Sequence, residues 1–185
     1  MALVLRQVKG SKLTIQEMDS NLQYLEGLTT QLGWERYFDS EDTESPQILT
    51  AGIWNVITIN GASSIVSQKP IVTGAVPLWS ISENEIKPIA DGDTYDMRID
   101  FLAKISNANG FFNLGIDVGG DIGVLQSTTS VFPKGADIEE PFSLTNKIYT
   151  AETFLLNGGK IVIKPSHTME IYSKSVFIER TYAAR

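Results

Sequence analysis

At 185 residues, 42% hydrophobic and 20% charged, the chain can bury one full core with a short appendage, which excludes a disordered or low-complexity protein. With no cysteine and one histidine, His167, it has no disulfides, thiolate nucleophiles or Cys-based metal sites, and a His-rich zinc centre or a Ser/His/Asp triad is not expected. The net charge of −7 disfavours nucleic acid, whose phosphates need a basic face.

Residues 1–12 form an arm that is apolar first and basic after. Leu3 and Leu5 lie in the apolar part, and Arg6, Lys9 and Lys12 precede the first acid, Glu17. The apolar run is far too short for a signal sequence or a membrane span, so a soluble protein or a component of a larger assembly is expected. These five residues are the candidate anchoring set, because such an arm can lie on an acidic surface or add a strand to a sheet edge.

Residues 13–33 predict a helix. Thr14 and Glu17 fit a capping box, in which the hydroxyl accepts a free amide and the carboxylate reaches back to the cap. Ile15, Met18, Leu22, Leu25 and Leu32 recur at a and d positions of a heptad, with Thr29 at the remaining a. So narrow a seam predicts a helix that meets a like helix, and these five residues are the candidate oligomerisation set. The same face could instead dock on the β-domain of its own chain. Gly27 weakens the second half of the helix, and Gly33 is the expected stop.

Residues 34–50, including the acidic run "DSEDTESPQ", predict a linker with one short strand around 36–38. From 51 to 185 the chain turns to short β-branched and aromatic runs broken by Gly, Asn, Asp and Pro. Strands are predicted at 53–60, 77–81, 94–105, 110–119, 123–132, 141–150, 152–157, 161–165 and 169–182, the last with a bulge near Ser173–Ser175. The run at 94–105 is the clearest. Tyr95, Met97, Ile99, Phe101, Ala103 and Ile105 alternate with Asp96, Arg98, Asp100 and Lys104, as a half-buried antiparallel strand requires. The fold class is therefore mainly β: an N-terminal arm and short helix, then an antiparallel β-sandwich, with a jelly roll expected over other Greek-key sandwiches.

Candidate chemistry is sparse. Asp91, Asp93 and Asp96 have oxygen spacing that could hold calcium, but the further ligands and distal Glu of an EF-hand are missing, and Asp-Gly is an ordinary turn pair. "DVGGD" at 117–121 is followed by strand-like sequence rather than a helix, so a hairpin is expected there instead of a phosphate loop. His167 sits in a predicted turn, and Trp34, Trp54 and Trp79 lie in or beside apolar runs as core or interface anchors. No catalytic motif, metal site or cofactor is expected, and the protein is read as non-enzymatic.

The stretch "GSKLTIQEMDSNLQYLEG" resembles a segment found near the N-terminus of tailed-bacteriophage fibre and appendage proteins. Gly10, Leu13, Thr14, Glu17, Met18, Asp19, Asn21, Leu22, Tyr24 and Leu25 carry the match. It departs at Leu22, where such segments often have Phe, and it covers about a tenth of the chain; the β-half matches only in style the jelly-roll heads of such fibres. The resemblance implies a virion structural protein: a homotrimer anchored by its N-terminus to other virion proteins of capsid or tail, projecting a β-rich head. A chain this short suits a head fibre or decoration module better than a long tail fibre. The alternative it implies is a tail-fibre or receptor-binding tip that recognises host surface carbohydrate.

Overall fold

The computed structural model describes residues 12–29, 32–40, 42–61, 65–68 and 77–183, with the side chains of 23–29, 65–68 and 126–127 left undescribed. Its first element is α1 (Ile15–Thr29). The capping box forms as predicted: the Glu17 amide donates to Thr14 Oγ1 at 3.2 Å, and the Thr14 amide donates to Glu17 Oε2 at 2.8 Å. The helix ends four residues before Gly33. Gly33 is not its stop but the first residue of β1 (Gly33–Phe38).

Two sheets face each other. The larger runs in the order β10 (Glu140–Tyr149), β7 (Thr94–Ile105), β12 (Met169–Tyr182), β1 and β4 (Ile65–Gln68), with β2 (Gln47–Leu49) also paired to β12. The smaller runs β3 (Asn55–Val56), β11 (Lys160–Pro165), β8 (Phe111–Asp117) and β9 (Val124–Val131). A two-stranded ribbon, β5 (Trp79–Ser80) with β6 (Glu85–Ile86), stands beside them. Every pairing is antiparallel, so the expected β-sandwich is what the chain forms.

The inward rows supply the core. In β7 the alternating residues Tyr95, Met97, Ile99, Phe101, Ala103 and Ile105 are all buried. Between the sheets Phe101, Phe112, Phe132 and Phe142 form one aromatic cluster, with centroids 4.9 Å (Phe132–Phe142) to 5.9 Å (Phe112–Phe132) apart in stacked, tilted and edge-on geometries. The predicted bulge is present: the β7–β12 register shifts between Tyr172 and Ser175, and Ser173 takes a positive φ of 50°. The "DVGGD" turn is a hairpin between β8 and β9, with positive φ at Gly119 and Gly120, a conformation that glycine adopts without steric cost.

Three expectations are corrected. Residues 34–50 are not a linker, because β1 pairs with β12 along its whole length and β2 continues on the same flank of β12. The run 152–157 is not a strand but a short helix, α2 (Glu152–Asn157), which buries only Phe154 and leaves Leu156 exposed. The run 53–60 forms a ladder only at Asn55–Val56. Beyond it, Thr58 and Ile59 donate their amides to the side chains of Gln47 and Asn84, while Ile57 and Ile59 remain fully buried.

Candidate functional site

The N-terminal candidates come first. Ile15, Met18 and Leu22 are 74%, 44% and 63% exposed, and Leu32 is also exposed. The described residues of the β-sandwich leave these four side chains uncovered. The side chain of Leu25 lies outside the described residues, as do Leu3, Leu5, Arg6 and Lys9, while Lys12 is exposed. Gly33, where β1 begins, is level with Arg180, Tyr95 and Ile148 in the neighbouring strands. Chain continuity therefore places the helix at the pole of the sandwich where β7 starts and where β10 and β12 end.

The aspartates considered for calcium do not converge. Asp93 is buried: its Oδ1 is 2.7 Å from Arg180 Nη2, and its Oδ2 accepts from Tyr95 Oη at 2.8 Å and from the Ala90 amide at 3.0 Å. Asp96 points to the opposite face of β7, 3.6 Å from Lys147 Nζ, and Asp91 is exposed. Burial holds the Tyr95 phenol well above its ordinary pKa, with the Asp93 carboxylate adding to it. Among the described residues no group of three His, Cys, Asp or Glu side chains is placed to hold a metal ion. No described helix is long and apolar enough to cross a membrane.

Among the buried carboxylates that sequence reasoning missed are Glu35 and Asp39. Glu35 faces the core from β1 and accepts from Tyr37 Oη at 2.6 Å and from the Leu78 amide at 2.7 Å. Asp39 and Lys174 form an ion pair at 2.9 Å with both side chains fully enclosed, and Lys174 also donates to Gln47 Oε1 at 2.9 Å. The pair fastens the end of β1 and β2 to the bulge of β12. Both acids sit in the stretch whose charge reads as a loop, and only the alternation Gly33–Glu35–Tyr37 signals a strand.

The outer face of the larger sheet is built by register. Lys147, Asp96, Glu179 and Trp34 align in one row across β10, β7, β12 and β1, and Thr145, Arg98, Phe177 and Arg36 align in the next. The Trp34 and Phe177 rings are 5.5 Å apart, and the Arg98 guanidinium lies 5.7 Å from the Phe177 centroid. Asp100 is shared by Arg98, two residues back on the same strand, at 3.1 Å and by Arg36 of β1 at 3.5 Å, while the charge pair between neighbouring strands is Lys147 with Asp96. A depression of about 440 Å³ opens here, lined by Asp96, Arg98, Thr145, Lys147, Phe177 and Glu179. A second, more apolar one of about 340 Å³ lies between the edges of the two sheets, beside α2, and is lined by Ile116, Ile122, Leu125, Tyr149 and Phe154. Trp79 is core, whereas Trp34 is half-exposed on the outer face. His167 lies in the β11–β12 turn, with Nδ1 3.0 Å from Ser166 Oγ.

These features define the class: a mainly β protein with a jelly-roll-like sandwich. No family model and no curated protein matches the chain. Among solved structures it is similar to the Eiger TNF of S. frugiperda, at 8% identity and a TM-score of 0.52 over 84% of this chain and 96% of that one. A carbohydrate-binding module from a Cellvibrio mixtus lichenase matches at 13% identity and a TM-score of 0.38, over 82% and 91% of the two chains. The PRD1 vertex protein matches at 9% identity and a TM-score of 0.37, over 83% and 98%. At 8% identity the likeness to Eiger TNF is one of fold alone.

Proposed function

We propose that the chain is a non-enzymatic structural module of a phage virion, a short homotrimeric fibre or decoration protein fixed to the particle, preferably its head, by its N-terminus. The observation that carries this reading is the exposure of the seam residues Ile15, Met18 and Leu22 on a well-capped helix ahead of the folded β-head. An isolated helix of this length is marginal in water, so an apolar stripe facing outward needs other chains to bury it. The basic arm before it supplies the attachment, and the sandwich is the projecting head. Two of the carboxylates weighed for catalysis are engaged in ion pairs: Asp93 with Arg180, and Asp100 with two arginines.

Deletion of residues 1–12 tests the assignment. The truncated protein should keep the circular dichroism and melting behaviour of the head yet fail to join the particle. Assembly of the truncated chain at full occupancy would remove the arm from the account.

A further inference from the structure

We infer that the outer face of the six-stranded sheet binds a neutral glycan, with Trp34 and Phe177 as its stacking platform. This goes beyond the assembly role, since the face belongs to the head and the seam to the helix.

Three observations converge. Two large aromatic side chains stand half-exposed and side by side on the solvent face of a sheet, where a sugar ring can lay its C–H surface on them. Asp96 and Glu179 are direct register partners on that same face. Like charges set opposite each other repel, and Lys147, 3.6 Å from Asp96, holds the two acids together on this face. Two adjacent carboxylates offer paired acceptors to neighbouring hydroxyl groups, while Arg98 and Lys147 beside them supply donors. The depression they line, about 440 Å³, falls within the range of small-molecule sites.

Charge decides the ligand class. Arg36, Arg98 and Lys147 balance Asp96, Asp100 and Glu179 on this face. A face with no net charge has no field to gather a phosphate or a sulfated polymer, and none to gather a polycation. Rings, paired acceptors and fixed donors without net charge suit a polyhydroxylated neutral ligand.

Affinity electrophoresis of the full chain in gels containing neutral hexose, pentose or N-acetylhexosamine polymers, with heparin as the anionic comparison, tests this. At least one neutral polymer should retard the protein, and heparin should not. Trp34→Ala should weaken the retardation about tenfold or more, as loss of an aromatic anchor does. Lys147→Ala, on a side chain 72% exposed and so harmless to folding, should weaken it as well. Phe111→Ala, in the other sheet, should leave it unchanged. No retardation by any neutral polymer overturns the proposal, as does retardation by heparin alone or neutral binding indifferent to both Trp34→Ala and Lys147→Ala. Sedimentation of the same samples reads the oligomeric state separately, so failure of glycan binding and failure of the trimer are distinguishable.

Discussion

Replacing Arg180 with Met should destabilise the head by about 3 kcal/mol, the lower end of the range for stripping one partner from a buried ion pair. The estimate follows from what Asp93 keeps. Its carboxylate and the guanidinium are 2.7 Å apart, with side chains 0% and 3% exposed, so the charge left behind cannot be hydrated without opening the structure. Two donors remain, the Tyr95 hydroxyl and the Ala90 amide, and they hold the loss near the lower end. The site is also a junction: the Thr150 amide donates to the Asp93 carbonyl, and the Gly92 amide donates to that of Thr150, tying the loop before β7 to the end of β10. For a chain of this size about 3 kcal/mol lowers the melting temperature by roughly 6–12 °C, readable by calorimetry. The double variant Arg180→Met, Asp93→Asn should recover part of the loss, because the stranded charge is gone. A shift under roughly 2 °C for Arg180→Met alone would refute the claim that this pair is desolvated and mutually dependent.

Phe112→Ala removes the ring that touches Phe101, Phe132 and Phe142 and should cost about 3–5 kcal/mol, seen as a lower urea midpoint. Stability should decline as pH rises above about 10. Burial is the first cause that raises the phenols of Tyr37, Tyr95 and Tyr172, with hydrogen bonds to Glu35, Asp93 and Glu139 adding to it, and Tyr172 is pushed up to about 12. Unfolded phenols ionise near pH 10 while the folded ones keep their protons, so this contribution is complete below that pH and is lost above it. Tyr37→Phe should flatten the decline in urea titrations at high pH, and an unchanged slope would contradict the assignment. Thr14→Ala should weaken α1 by about 1 kcal/mol, measured as faster amide exchange in its first turn, with the head unchanged.

How far the sequence could be read depended on whether polarity and position agreed. In β7 they agree at every position but the outward Leu102, and its bounds and inward face match the structure. The capping box and the Gly-Gly hairpin were legible for the same reason, since each places a residue type where only local geometry matters. β1 was obscured because one of its inward positions is Glu35, an acid made tolerable by a tyrosine and a backbone amide distant in the chain. The run 152–157 misled because Leu155 and Leu156 look like strand residues, yet six residues ending at Gly158 make a short helix that leaves Leu156 in solvent. The candidate glycan face was invisible in one dimension: Lys147, Asp96, Glu179 and Trp34 come from four strands, and only register brings them into a row.

The association of α1 is the central claim, and the mass of the protein in solution tests it most directly. Sedimentation equilibrium at micromolar concentration should give three copies of the 20.4 kDa chain. Leu22→Asp, which sets a charge in the seam, should drive that assembly toward monomer, while Gln23→Asp next to it should leave three copies in place. A wild-type protein that sediments as a single chain, or a Leu22→Asp variant that stays trimeric, would contradict the account.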